Sequence, residues 1–192
     1  MDHQPERIVL VTGGSRGLGA RVARQLGSVD THVVVTRDIS DEVESAEVID
    51  GIASRFGRLD TLILNSSDAL DTGADPECAM RLNRDAQRRL ALAALPLMPV
   101  GGRIVFVTSH QAHFFPDKAV PKGYTAVAAS MRAGETALLT RRSEFRQAGV
   151  QLTVVSGDMS HMTFADAVVD AATTPNPASI VFVGRTDYLM TA

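Results

Sequence analysis

The stretch VTGGSRGLGA, residues 11–20, sets glycines at 13, 17 and 19 between an apolar run and an amphipathic one. Glycines so placed let a chain turn tightly and bring its backbone close to a pyrophosphate. A helix opening behind them offers unpaired N–H groups and the positive end of its dipole to the same anion. The pattern points to a dinucleotide, the alternative being a glycine-rich turn with no ligand. Arg37 stands at the end of the second apolar run and Arg16 in the loop itself. A guanidinium there accepts a 2′-phosphate, which favours NADP(H), whereas Asp38 would take a 2′-hydroxyl and keeps NAD(H) open.

Acid–base candidates are few. The tyrosines are Tyr124 and Tyr188, and the lysines are Lys118 and Lys122. His110 and His113 form an H-x-x-H pair, but metal binding needs further ligands and no Cys/His/Asp cluster supports it. Both are expected to line a site or sit in a solvated loop. Cys78 has only Arg81 nearby to activate it, so a buried structural thiol is expected. A single cysteine excludes an internal disulfide and fits a reducing, cytoplasmic setting.

Nineteen Lys plus Arg against twenty-two Asp plus Glu give a net charge of −3, which argues against a nucleic-acid footprint. No stretch reads as a membrane span, because LALAALPLMPV is short and broken by Pro96 and Pro99. The N-terminal MDHQPER is polar and does not read as a signal peptide. The 192 residues suit one buried core, so a single domain over 1–192 is expected.

Six apolar runs rich in β-branched residues must position these groups: 7–12, 32–36, 61–65, 102–109, 150–156 and 179–184. Helical patterns alternate with them at 17–26, 41–56, 76–95, 124–147 and 163–172. The runs are continuous rather than alternating, as expected of strands buried on both faces. The reading is an α/β fold, a doubly wound parallel sheet (Rossmann-like) in three α/β/α layers.

TGGSRGLG resembles the TGxxxGxG fingerprint of the short-chain dehydrogenase/reductase family, and the resemblance extends over nearly the whole chain. FGRLDTLILNSS (56–67) is similar to the family's fGrlDvLvnNAG segment, and GGRIVFVTSHQA to its GriVniSS strand. The resemblance implies that Thr12 buttresses the turn, and that Gly13, Ser15, Arg16, Gly17, Leu18 and Gly19 wrap the cofactor. Asn65, Ser66, Ser67, Ser156 and Gly157 would also lie beside it. Asn83 would support a proton relay, and Ser109 and Tyr124 would handle the substrate oxygen. These three form the catalytic set, and the implied activity is hydride transfer to or from a small carbonyl or alcohol substrate. A homodimer or homotetramer is implied as well, through helices 76–95 and 124–147.

The family's tyrosine and lysine are spaced Y-x3-K, and the sequence registers on that pattern in two ways. From Tyr124 the fourth residue on is Ala128. If AASM replaces -ASK-, the lysine place is Met131 and the tyrosine place Val127. Axial rise alone sets Tyr124 and Met131 about 10 Å apart. The family also carries a further helix and strand after the second strand, and a lid after VVSGDMSHM, which here are mostly absent. The expected sheet order is then 2-1-3-4-5-6, with an exposed edge. Two alternatives stand beside the enzyme: a catalytically impaired dinucleotide-binding protein (sensor or scaffold), and a flavodoxin-like domain binding FMN.

Overall fold

The structure, a computed structural model, describes residues 5–28, 30–36, 39–65 and 75–185. Arg37, Asp38, Ser66, Ser67 and Tyr188 lie outside the described residues. Six parallel strands form one sheet: β1 Arg7–Thr12, β2 Thr31–Thr36, β3 Thr61–Leu64, β4 Arg103–Ser109, β5 Gln151–Gly157 and β6 Ile180–Val183. Their order is β2-β1-β3-β4-β5-β6, the one expected from the sequence.

Strand period explains the continuous apolar runs. Ile8, Leu10, Leu62, Leu64, Ile104, Phe106, Leu152 and Val154 all enter one core. Their neighbours Val9, Val11, Ile63, Val105, Val107 and Val155 enter a second core on the opposite face. Helices α1 (Gly17–Leu26) and α8 (Phe164–Thr173) supply Val22, Leu26, Phe164 and Val168 to the second core. Helices α2 (Glu42–Phe56), α4 (Gln87–Ala94) and α6 (Thr125–Leu139) supply Ile49, Ile52, Leu90 and Leu138 to the first. Three layers result, a Rossmann-like α/β fold. The β2 edge is only half-buried, with Val35 at 48% exposure.

Helix ends follow local chemistry. Asp41 caps α2 by accepting from the N–H groups of Val43 and Glu44, and Gly57 closes it at φ 68°. Asp75 caps the five-residue α3 (Pro76–Met80), with Pro76 in its first turn. The chain then passes through a π-helical turn, Arg81–Ala86, into α4 and a 3₁₀ turn, Leu95–Leu97. The stretch expected as helix from 76 to about 95 is helical throughout, in four contiguous segments of different hydrogen-bond pattern. The expected helix 124–147 also divides: α6 ends at Leu139 and α7 spans Arg142–Gln147. At the break, the Thr140 and Arg141 N–H groups bond Thr136 O and Leu138 O, tightening the last turn. A four-residue helix, α5 (His110–His113), lies between β4 and α6.

Cys78 corrects a further expectation, because it is exposed and free. It sits beside Glu77 on the solvent side of α3, while Ala79 turns inward.

Candidate active site

All strands are parallel, so their C-terminal ends share one rim, where the glycine loop, Asn65, Ser109 and Gly157 emerge. Thr12 ends β1 with its hydroxyl donating to Asn65 O at 2.7 Å and accepting from Asn65 N–H at 2.8 Å. The Asn65 amide donates to Thr12 O and Gly13 O at 3.3 and 3.4 Å. These bonds tie the start of the loop to the end of β3, and the Gly14 N–H bonds Thr36 O at 3.2 Å to tie it to β2 as well.

Gly13 and Gly17 adopt φ 59° and 56°, a region that side-chain-bearing residues avoid. A Cβ on Gly19 would lie 2.2 Å from Gly13 O, so α1 packs against the turn at backbone distance. The N-terminus of α1 has no side-chain cap and no acid in its first turn. Its orphan N–H groups and positive dipole end suit an anion. Ser15, Arg16 and Gly17 are exposed around it, and Leu18 packs partly into the second core.

Ser109 closes β4 and caps α5, accepting from Ala112 N–H at 3.1 Å. Tyr124 stands just before α6, folded onto Ser109 with a hydroxyl-to-hydroxyl distance of 3.2 Å. Its hydroxyl also lies 3.9 Å from Met131 Sδ. The axial separation of about 10 Å is therefore bridged by the tyrosine ring, which lies along the helix. Ser109 and Met131 thus flank the Tyr124 hydroxyl, which joins the tyrosine of one register to the lysine place of the other. Each hydroxyl has one proton. When Ser109 donates to Tyr124, the phenol proton is free to point at Met131 or at an oxygen in the cavity. Burial raises the Tyr124 pKa above its ordinary value, and the bond from Ser109 partly opposes the rise.

Asn83 lies in the π turn, fully buried, and donates to Ser130 Oγ at 2.9 Å. Ser130 donates onward to Val127 O at 2.8 Å, and Asn83 Oδ1 is buried without a partner. A Cβ on Gly134 would lie 2.0 Å from Asn83 O, so α6 meets the π turn backbone to backbone. Asn83 thus sits behind the residue next to Met131 and away from the cavity wall.

A cavity of about 290 Å³ opens at Ser109, His110, Gln111, Tyr124, Gly157 and Asp158, with Met159 and Ser160 at its lip. His110 does line it, but the expectation of a solvated loop is corrected. Its ring is fully buried, with Nδ1 3.0 Å from Ser156 Oγ and Nε2 3.0 Å from Val183 O. Val183 O can only accept, so in the neutral ring Nε2 carries the proton and Ser156 donates to Nδ1. Burial lowers the His110 pKa, partly offset by the Val183 bond. His113 is also mostly buried, 2.9 Å from Glu135, which Arg132 meets at 2.8 Å. The signal for this cluster is Glu135 itself, a carboxylate on the buried face of α6 shared with Met131 and Leu138.

Comparison with known proteins agrees with the geometry. The family model described as Enoyl-(Acyl carrier protein) reductase matches residues 3–156. The Cyclic-di-GMP-binding biofilm dispersal mediator protein of Escherichia coli is 28% identical in an alignment 173 residues long that covers 78% of this chain and 71% of that protein. Versicolorin reductase 1 of Dothistroma septosporum is 28% identical in an alignment 150 residues long that covers 60% of this chain and 55% of the relative. The chain thus spans about half the length of several curated relatives it matches. A metagenomic short-chain oxidoreductase solved with NADP superposes with a TM-score of 0.73 at 23% identity, covering 95% of this chain and 98% of that one. A Burkholderia cenocepacia short chain dehydrogenase, also solved with NADP, gives 0.74 at 20% identity over 93% and 96% of the two chains. These matches displace the flavodoxin-like alternative. From the glycine loop through the Ser109 rim, the chain belongs to the short-chain dehydrogenase/reductase family.

Proposed function

We propose that the chain is an NADP(H)-dependent oxidoreductase that moves hydride to or from a small carbonyl or alcohol substrate, and works best as a carbonyl reductase. The observation that carries this reading is the Ser109–Tyr124 pair, 3.2 Å apart on the wall of a cavity at the strand rim. The glycine loop opens onto the same rim.

The residues present fit a dinucleotide. The left-handed Gly13 and Gly17 and the contact that only glycine permits at 19 leave backbone N–H groups open beside an uncapped helix start. In this reading Gly13, Ser15, Arg16, Gly17, Leu18 and Gly19 hold the diphosphate, with Asn65, Ser156 and Gly157 beside the remainder. Arg37, Asp38, Ser66 and Ser67 belong to the same proposed set. NADP is supported by the exposed Arg16 and by the two structural neighbours solved with it. When bound, the nucleotide supplies or accepts the hydride.

Ser109 hydrogen-bonds the substrate oxygen and Tyr124 hands it a proton as the alkoxide develops. The raised Tyr124 pKa keeps the phenol protonated at neutral pH, as an acid must be. Met131 places an uncharged thioether where a cation would stabilise phenolate, so Tyr124 is a poor base for alcohol oxidation. Asn83 acts from behind by fixing Ser130 and the packing of α6.

The whole chain is taken as one dinucleotide-binding domain, acting as a homodimer or homotetramer in the cytoplasm. Support for the setting is the lone free Cys78. Among the described residues no helix is long and apolar enough to cross a membrane. The test is NADPH oxidation at 340 nm across a broad carbonyl panel. Turnover that Tyr124→Phe abolishes supports the reading. Cofactor binding with background oxidation throughout supports the impaired binder instead.

A further inference from the structure

At the opposite end of the sheet from the glycine loop lies a second cavity of about 300 Å³. Its walls carry Arg142 and Arg146 of α7, Gln151 and Thr153 of β5, and Ser179 just before β6. Pairing of β6 with β5 begins only at Ile180 opposite Val154. The first residues of β5 therefore face a notch in the sheet rather than a neighbouring strand on that side.

The charge in this notch is unbalanced. Arg142 and Arg146 are one helical turn apart, so both guanidinium groups stand on the same side of α7. Neither has a carboxylate partner among the described residues. The acid in the same helix, Glu144, is already held by Arg141 at 3.0 Å. Arg142 is half-buried, which reduces the water available to it. The chain as a whole is acidic, at net −3, so this is a local positive island against the general field. Two guanidinium forks with hydroxyl and amide donors beside them match the several acceptor oxygens of a phosphate dianion better than a single-charged carboxylate.

We infer that the notch between α7 and the start of β5 and β6 binds the phosphate group of a small soluble ester, separately from the nucleotide site. The cavity holds a phosphate and a small substituent. Its position, at the other end of β5 from the Ser109 rim, makes it a peripheral or regulatory site.

The test titrates inorganic phosphate, then pyrophosphate, into the NADPH-saturated protein and follows the backbone amides of Thr153 and Ser179 by NMR. Saturable shifts are expected, tighter for pyrophosphate and weaker for acetate. Arg142→Ala with Arg146→Ala should weaken binding at least ~10-fold, with NADPH affinity unchanged. Ser179→Asp, which places a carboxylate in the notch, should abolish phosphate binding even if the double variant folds poorly. Shifts that never saturate, equal affinity for acetate, or unchanged affinity in Ser179→Asp would overturn the proposal. Co-sedimentation with phosphatidylglycerol vesicles that is lost in the arginine variant would assign the pair to a lipid headgroup and overturn the soluble ester. NADPH binding is read on the same samples, so failure here leaves the oxidoreductase reading standing.

Discussion

Met131→Lys is the perturbation that bears most directly on how Tyr124 handles a proton. The thioether sulfur lies 3.9 Å from the phenol oxygen, and Met131 is 3% exposed. A lysine ammonium at about 4 Å from a phenolate, with an effective dielectric of roughly 20, stabilises it by about 4 kcal/mol, or about 3 pKa units. Burial of the new cation opposes its charging, so a net fall of about 2 units is expected. Below its pKa, the ionised fraction of the phenol then rises about 100-fold. Phenolate absorbance near 295 nm reads this directly, with Tyr124→Phe supplying the background from Tyr188. In parallel, alcohol oxidation with NADP at mildly alkaline pH should accelerate by a comparable factor, while carbonyl reduction changes little. If the folded variant, checked by circular dichroism, leaves the Tyr124 titration in place, the argument that Met131 limits base catalysis is refuted.

Three further outcomes follow from the same geometry. Tyr124→Phe should lower kcat for carbonyl reduction by ~10²–10⁴ without weakening NADPH binding, measured by initial rates and fluorescence titration. Gly134→Ala places a Cβ 2.0 Å from Asn83 O. It should cost about 1–3 kcal/mol in urea-unfolding stability, because backbone rather than a flexible side chain must move. His110 is held neutral by burial, its folded pKa below the unfolded value, so its contribution is intact above about pH 6.5. As the pH falls below that, the unfolded chain takes up the proton first and stability drops. The urea midpoint of the native protein should therefore fall more steeply through mildly acidic pH than that of His110→Gln.

The layers of this fold were legible because the runs IVLV (8–11) and IVFV (104–107) are apolar without alternation, as a sheet covered on both sides requires. The strand order followed from one short crossover after β2. Helix interiors were less legible. Nothing in the apolar spacing of 76–95 distinguishes a π turn from α-helix, yet that turn sets Asn83 against Gly134. The amphipathic pattern likewise runs through 140–141, where the backbone tightens and stops. Cys78 was misread because the lack of an activating neighbour other than Arg81 does not imply burial, and its place after the Asp75 cap faces water. In the site, the family resemblance pointed to Ser109 and Tyr124, but helical rise could not show a ring reaching Met131. The burial of His110 was not legible because its partners, Ser156 and Val183 O, are remote in sequence and meet only through the sheet register.

Calorimetric titration with NADPH, and with NADH beside it, examines the grip of the loop at 13–19. One NADPH per chain should bind, more tightly than NADH, and Gly19→Ala should abolish the heat because its Cβ would lie 2.2 Å from Gly13 O. No binding of either nucleotide at millimolar concentration, or full binding by Gly19→Ala, would contradict the account.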